Sequence, residues 1–144
     1  NGTFTPVEII EHRSPLMVLE RSLRDDSGGA GQRRGGLGQI VRIRTQGSSS
    51  ARMTLRADKL VHPARGILGG EPGAKGEVWL DNHPLPLEPF VLAPEQVLTL
   101  KLPGGGGCGV PWKRDPQKIV QDITNGYVSA HCAVERYCVA RRAH

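Results

Sequence analysis

The sequence predicts a mainly β fold: a sandwich or barrel-like domain of short strands, followed by a C-terminal pair of short helices. Three observations carry this. Apolar and polar residues alternate over several short runs, the period of a half-buried strand. Turn formers are dense, with 19 Gly and 11 Pro in 144 residues. Helix start and stop signals cluster in the last part of the chain, from Asp115 onward.

The elements follow in chain order. "PVEIIEHRSPLMVLERSLR" holds two apolar segments, Val7–Ile10 and Leu16–Leu19, and Pro15 between them argues against one continuous helix. Two short strands, or an extended segment and a strand, are expected there. "GQIVRIRT" sets Ile40, Val41 and Ile43 against Arg42 and Arg44, and "ARMTLRA" sets Met53 and Leu55 against Arg52, Thr54 and Arg56. Both read as strands, with "QGSSS" as a hairpin-like connection between them. "EVWL" gives another short strand. "FVLAPEQVLTLKL" gives one or two more, with Val97, Leu98 and Leu100 in a β-run, and "PGGGGCG" then forbids regular structure.

In "RDPQKIVQDITNG", Asp115 is the expected N-cap, Pro116 the first helical residue and Gly126 the stop. Ile119, Val120 and Ile123 are expected on its apolar face. A second helix opens at Ser129, with Glu135 and Arg136 on its solvated side. The expected organisation is a glycine-rich, mainly β domain over 1–114 with a helical tail, 115–144, packed on it.

Composition narrows the function classes. Nineteen Lys and Arg stand against fourteen Asp and Glu, a net charge of +5. The arginines are scattered and no aromatic residues interleave with them, so nucleic acid is not an expected partner. No apolar run approaches the roughly 20 residues of a membrane span, so no membrane is expected either. Three cysteines without a spacing framework, Cys108, Cys132 and Cys138, read as reduced, intracellular thiols. The chain opens on Asn1 rather than Met, which predicts a processed chain or a piece of a longer one.

The stretch "DDSGGAGQRRGGLG", Asp25 to Gly38, invites a nucleotide reading and does not support it. A P-loop ends in Lys-Ser or Lys-Thr and opens a helix, whereas this stretch has no lysine and leads into the strand "QIVRIRT". The gaps between Gly29, Gly31 and Gly35 also miss the dinucleotide fingerprint. A linker would carry little beyond Gly and Ser. A compact ordered loop is expected instead, with Asp26 paired to Arg34 across the turn and Gly29 and Gly35 at positive φ.

Other reactive residues point to no site. His131, Cys132 and Cys138 lack the paired cysteine spacing of zinc centres, so no metal is expected and Cys132 reads as a buried or half-buried helix residue. Cys108 lies in a glycine loop without a basic partner to activate it. His62 and His83 sit beside prolines in turns.

Four stretches, in order, resemble the C-terminal region of the hydantoinase B / 5-oxoprolinase family: "TPVEIIE", "DDSGGAGQRRGGLG", "GILGGEPGAKG" and "LPGGGGCGVPWKRDP". The resemblance runs from Thr5 to about Tyr137. It departs from the family pattern where Cys108 and Val110 replace Tyr and Asp, and where His62, Ala64 and Arg65 stand at Phe, Pro and Trp positions. Arg34 matches the family arginine, whereas Gln32 and Arg33 occupy variable positions. The resemblance implies a larger cytoplasmic enzyme that opens cyclic amides such as hydantoins or 5-oxoproline with ATP hydrolysis, with relatives that carboxylate ketones. It implies ATP and a divalent metal for the whole enzyme and no cofactor in this segment. The implied partners are the remainder of the B subunit and an ATP-binding A subunit or domain.

On that basis the segment is expected to be structural or to serve assembly, and inactive alone. The competing readings are a stand-alone protein-interaction module without catalysis and, on charge alone, a basic anion-binding domain. The residues expected to order the loop or touch a substrate carboxylate are Asp26, Ser27, Gly28, Gly29, Arg34, Gly35 and Gly36. The catalytic residues are unknown from the sequence.

Overall fold

The computed structural model describes residues 6–137, so Phe4, Thr5 and Cys138 lie outside the described residues. The chain divides into two compact units. The first takes the segments up to Ser22, Ile40–Ala57 and Val78–Leu100. The second takes Leu23–Gln39, Asp58–Glu77 and Lys101 onward.

The first unit opens on a helix, α1 (Val7–Arg13), where an extended segment was expected. Seven residues are too few for periodicity to separate helix from strand. End effects decide: Glu8 lies in the first turn and His12 and Arg13 in the last, each favourable toward the helix dipole. Pro15 keeps the two apolar segments from forming one continuous helix, as expected. The Ser14 hydroxyl donates to the Ile10 carbonyl at 2.7 Å, closing the last turn. Glu11 then ties α1 to the strands, its side chain accepting from the Val18 N–H at 2.8 Å and its carbonyl from the Gln46 amide at 3.1 Å.

Seven strands follow: β1 (Leu16–Leu23), β2 (Gln39–Thr45), β3 (Ala51–Met53), β4 (Glu77–Leu80), β5 (His83–Pro84), β6 (Phe90–Leu92) and β7 (Leu98–Lys101). Five form an antiparallel sheet in the order β1-β2-β7-β4-β5. The hairpin expected between β2 and β3 does not form. β3 pairs antiparallel with β6, Ala51 opposite Leu92 and Met53 opposite Phe90, as a separate two-stranded sheet. The polar loop "QGSSS" ends β2 without dictating a partner, and burying Met53 beside Phe90 decides the pairing. Ile43, Val78, Leu92 and Leu98 form one buried core, drawing on both sheets, with Val41, Met53, Phe90 and Leu100 packed around it.

The architecture therefore departs from a barrel: the larger sheet ends at β1 and β5 and does not close. Strand makes up 26% and helix 20%, so mainly β is only a rough description.

The second unit holds the glycine-rich segments and two further helices, α2 (Pro116–Thr124) and α3 (Ala130–Tyr137), after a single 3-10 turn at Pro111–Lys113. Both helix starts are as expected. Asp115 accepts from the Gln117 N–H at 2.9 Å, and the Ser129 hydroxyl accepts from the Cys132 N–H at 3.1 Å. Gly126, at φ +70°, follows α2 as its stop. The inward face of α2 differs from expectation: Ile119 and Asp122 are buried, while Val120 is 62% exposed. Ala30, Ile119, Val128, Cys132, Ala133 and Tyr137 form the core of this unit, so the helices pack on the glycine segments through Ala30.

Candidate functional site

Three of the four family-like stretches meet in the second unit and interlock through their backbones. Segment 104–109 is hydrogen-bonded to both of the others. The Gly104 N–H donates to Ala74, that of Gly105 to Gly36 and that of Gly107 to Glu71, at 2.8–3.1 Å. The Gly29 N–H donates to Gly105 and that of Ile67 to Gly107, each at 2.9 Å. Cys108 and Arg33 exchange backbone hydrogen bonds in both directions, and Cys108 also bridges to Ile67. Extended backbones bonded on several sides leave no room for side chains between them. A Cβ on Gly29 would lie 2.7 Å from the Gly107 nitrogen and 2.9 Å from the Pro72 carbonyl carbon, closer than non-bonded atoms approach. Gly28, Gly29, Gly31, Gly35 and Gly38 in "DDSGGAGQRRGGLG" are thus required by close approach. Neither Gly29 nor Gly35 has the positive φ that was expected of it. The left-handed residue in this stretch is Asp26, at φ 53°.

The expected site residues take these places. Ser27 is buried; its hydroxyl donates to the Arg24 carbonyl at 2.5 Å and accepts from the Gly38 N–H at 2.8 Å, closing the loop on itself. Gly28 packs against the Gly35 carbonyl and Gly35 against Gly105, whereas a side chain on Gly36 would meet nothing within 4 Å. Asp26 and Arg34 are both partnered, but by the helical segment instead of by each other. Asp26 accepts from the Ser129 N–H at 2.8 Å. Burial pushes the Asp26 carboxyl up. Hydrogen bonds from the Ser129 backbone, the Ser129 hydroxyl and the Cys132 thiol, with the Arg136 charge, outweigh that effect and hold it below its ordinary value. Burial first, and then the bond to Asp26, push the Cys132 thiol up to about 11. Cys132 therefore stays a protonated, buried thiol at neutral pH.

Arg34 enters a cluster that sequence reasoning missed. Its guanidinium donates to both Asp122 carboxylate oxygens, Nε at 3.3 Å and Nη2 at 3.4 Å, and to the Gly35 carbonyl at 2.8 Å. It also lies over the Tyr127 ring, 5.4 Å from the centroid. Arg114 reaches the same carboxylate at 2.7 Å and the Gln32 carbonyl at 3.2 Å. Side-chain exposures of 15%, 10% and 9% for Arg34, Asp122 and Arg114 make this a nearly dry cluster. Tyr137 lies in the same core; burial raises its pKa, and its hydroxyl is buried without a hydrogen-bond partner among the described residues. The one sequence signal for Asp122 was its place three residues after Ile119, on the same helical face. Its partners lie 88 and 8 residues away, beyond local pattern. Chemically, the cluster clamps α2 to the glycine segments. Its carboxylate is already held by two guanidiniums.

A family model described as Hydantoinase B/oxoprolinase matches residues 1–111. The chain belongs to this family. It is 37% identical to an uncharacterised protein of Methanocaldococcus jannaschii over 94% of this chain and 24% of that protein. It is 30% identical to the B subunit of a putative D-/L-hydantoinase from a Pseudomonas species, over 96% of this chain and 24% of the relative. Among solved structures, the ATP-dependent caprolactamase of Pseudomonas jessenii superposes with a TM-score of 0.76 at 25% identity, covering 93% of this chain and 25% of that one. The chain thus spans about a quarter of the length of the curated relatives it matches.

The described residues do not fit the metal that the family implies. Among them, His, Cys, Asp and Glu do not gather in groups of three that could hold a metal ion. The Gly29, Gly35, Gly104, Gly105 and Gly107 N–H groups donate to carbonyls of the protein itself. No helix among the described residues is long and apolar enough to cross a membrane.

Proposed function

We propose that this chain is the C-terminal segment of an ATP-dependent cyclic amide hydrolase, opening hydantoin or 5-oxoproline rings, and that the segment serves structure and assembly. One observation supports the structural role above others. The polar residues expected to order the loop or touch a substrate carboxylate, Asp26, Ser27 and Arg34, are each engaged by the protein's own groups. ATP and a divalent metal then belong to the rest of the enzyme, which works in the cytoplasm with the remainder of its B subunit and an ATP-binding A subunit. The 115–144 tail acts with 1–114 as one domain.

Assays with hydantoin, N-methylhydantoin and 5-oxoproline, with ATP and a divalent metal, test this reading. The 144-residue chain alone is expected to be inactive, and the full-length subunit with its A partner to open at least one ring. ATP-dependent ring opening by the 144-residue chain would overturn the structural role. A natural gene product ending near this chain's own length would overturn the larger-enzyme reading in favour of a stand-alone interaction module.

A further inference from the structure

The turn Ile67–Gly70 displays two large apolar side chains to solvent. Ile67 is 61% exposed and Leu68 80%. The Gly70 N–H donates to the Ile67 carbonyl at 2.9 Å, and the two central residues, Leu68 and Gly69, are left-handed at φ 52° and 85°. A leucine at that φ is doubly unfavourable, since a β-carbon resists the conformation and an apolar side chain resists water. Asn or Asp would serve the turn better.

The turn is fixed from below. The Ile67 N–H and carbonyl bond to Gly107 and Gly109, each at 2.9 Å, and Gly69 lies against the Val110 side chain. Trp112, two residues further on, is 57% exposed. A rigid turn that presents Ile67 and Leu68, with exposed Trp112 two residues along the chain from the Val110 that it lies against, has the composition of an interface centre: apolar and aromatic, held in place before docking. Arg33, paired with Cys108 beside it, and Lys113 are exposed and supply a basic rim.

We infer that this turn docks into an apolar, acid-rimmed hollow in the preceding part of the same subunit, and that this contact joins the segment to the rest of its chain. The occupant follows from length. This chain spans 24% of its relatives, so about three quarters of each has no counterpart here, and that bulk is the surface nearest to hand. The inference rests on the reading of the chain as part of a larger subunit.

The mass of the natural subunit tests that reading first and separately: a product near 15.6 kDa would defeat it. In the full-length subunit, p-benzoylphenylalanine is then placed at Leu68 and, in a second variant, at Trp112. Irradiation is expected to give an intramolecular crosslink from both positions to one upstream stretch of the same chain, with no rise in mass on a denaturing gel. A crosslink to an A subunit or a second copy, or no crosslink from either folded variant, would overturn the docking. Trp112 keeps the test open if the Leu68 variant fails to fold.

Discussion

In the first unit, Leu92 and Leu98 are fully buried between strands whose side chains fill the space. In the second, whose helices have a side-chain core of their own, the space between the glycine-rich segments is filled by backbone, with Gly29, Gly35 and Gly107 each against another segment's carbonyl. Both arrangements satisfy the same requirements, dense packing and paired backbone groups, by opposite means. A side-chain core tolerates a smaller residue by leaving a cavity. A backbone core has nothing to remove and no place to add an atom. The difference predicts two opposite patterns of mutational sensitivity.

The largest effect is expected from Gly29→Ala. Its new methyl meets backbone of Gly107, Glu71 and Pro72, none of which is the free end of a flexible side chain. A loss of at least about 4 kcal/mol is expected, read by denaturant melts. Retention of full stability would show that the segments separate at little cost. In the strand unit, Leu92→Ala is expected to cost about 3 kcal/mol through a cavity. A loss well below 1 kcal/mol there would mean that the side-chain core is loosely filled.

Asp122→Asn tests how α2 is held to the glycine segments within the second unit. It keeps the shape but removes the charge shared by Arg34 and Arg114. About 2 kcal/mol is expected to be lost, and an unchanged melting temperature would discard the clamp. The smallest effect is expected at Gly36→Ala. Gly36 neighbours Gly35 but has open space at its β-position and no positive φ, so the change should stay within about 0.5 kcal/mol. A cost comparable to that of Gly29→Ala would contradict close approach as the reason for the glycines.

The two units were also unequally legible in the sequence. Alternation located β2 and β3, and short apolar runs located β1, β4, β6 and β7, because a buried or half-buried strand writes its burial into neighbouring residues. The β3–β6 pairing was not legible, since a polar loop after β2 says nothing about a partner some forty residues on. The capping residues Asp115 and Ser129 were legible for the opposite reason: their partners lie two or three residues away. In the glycine unit, the motifs identified the family, but composition alone suggested positive φ where the structure has close approach. The Arg34–Asp122–Arg114 cluster was illegible because charge pairing across 88 residues leaves no local trace, and the buried Asp122 interrupts the apolar face that Val120 was expected to share.

Native-state hydrogen exchange tests the backbone core most directly. The account predicts that the Gly29, Gly35, Gly105 and Gly107 amides, each bonded to another carbonyl at 2.8–2.9 Å, exchange as slowly as those of β2 and β7. Exchange of those four amides at the rate of an exposed loop such as 47–50 would contradict it and return the stretch to a flexible linker.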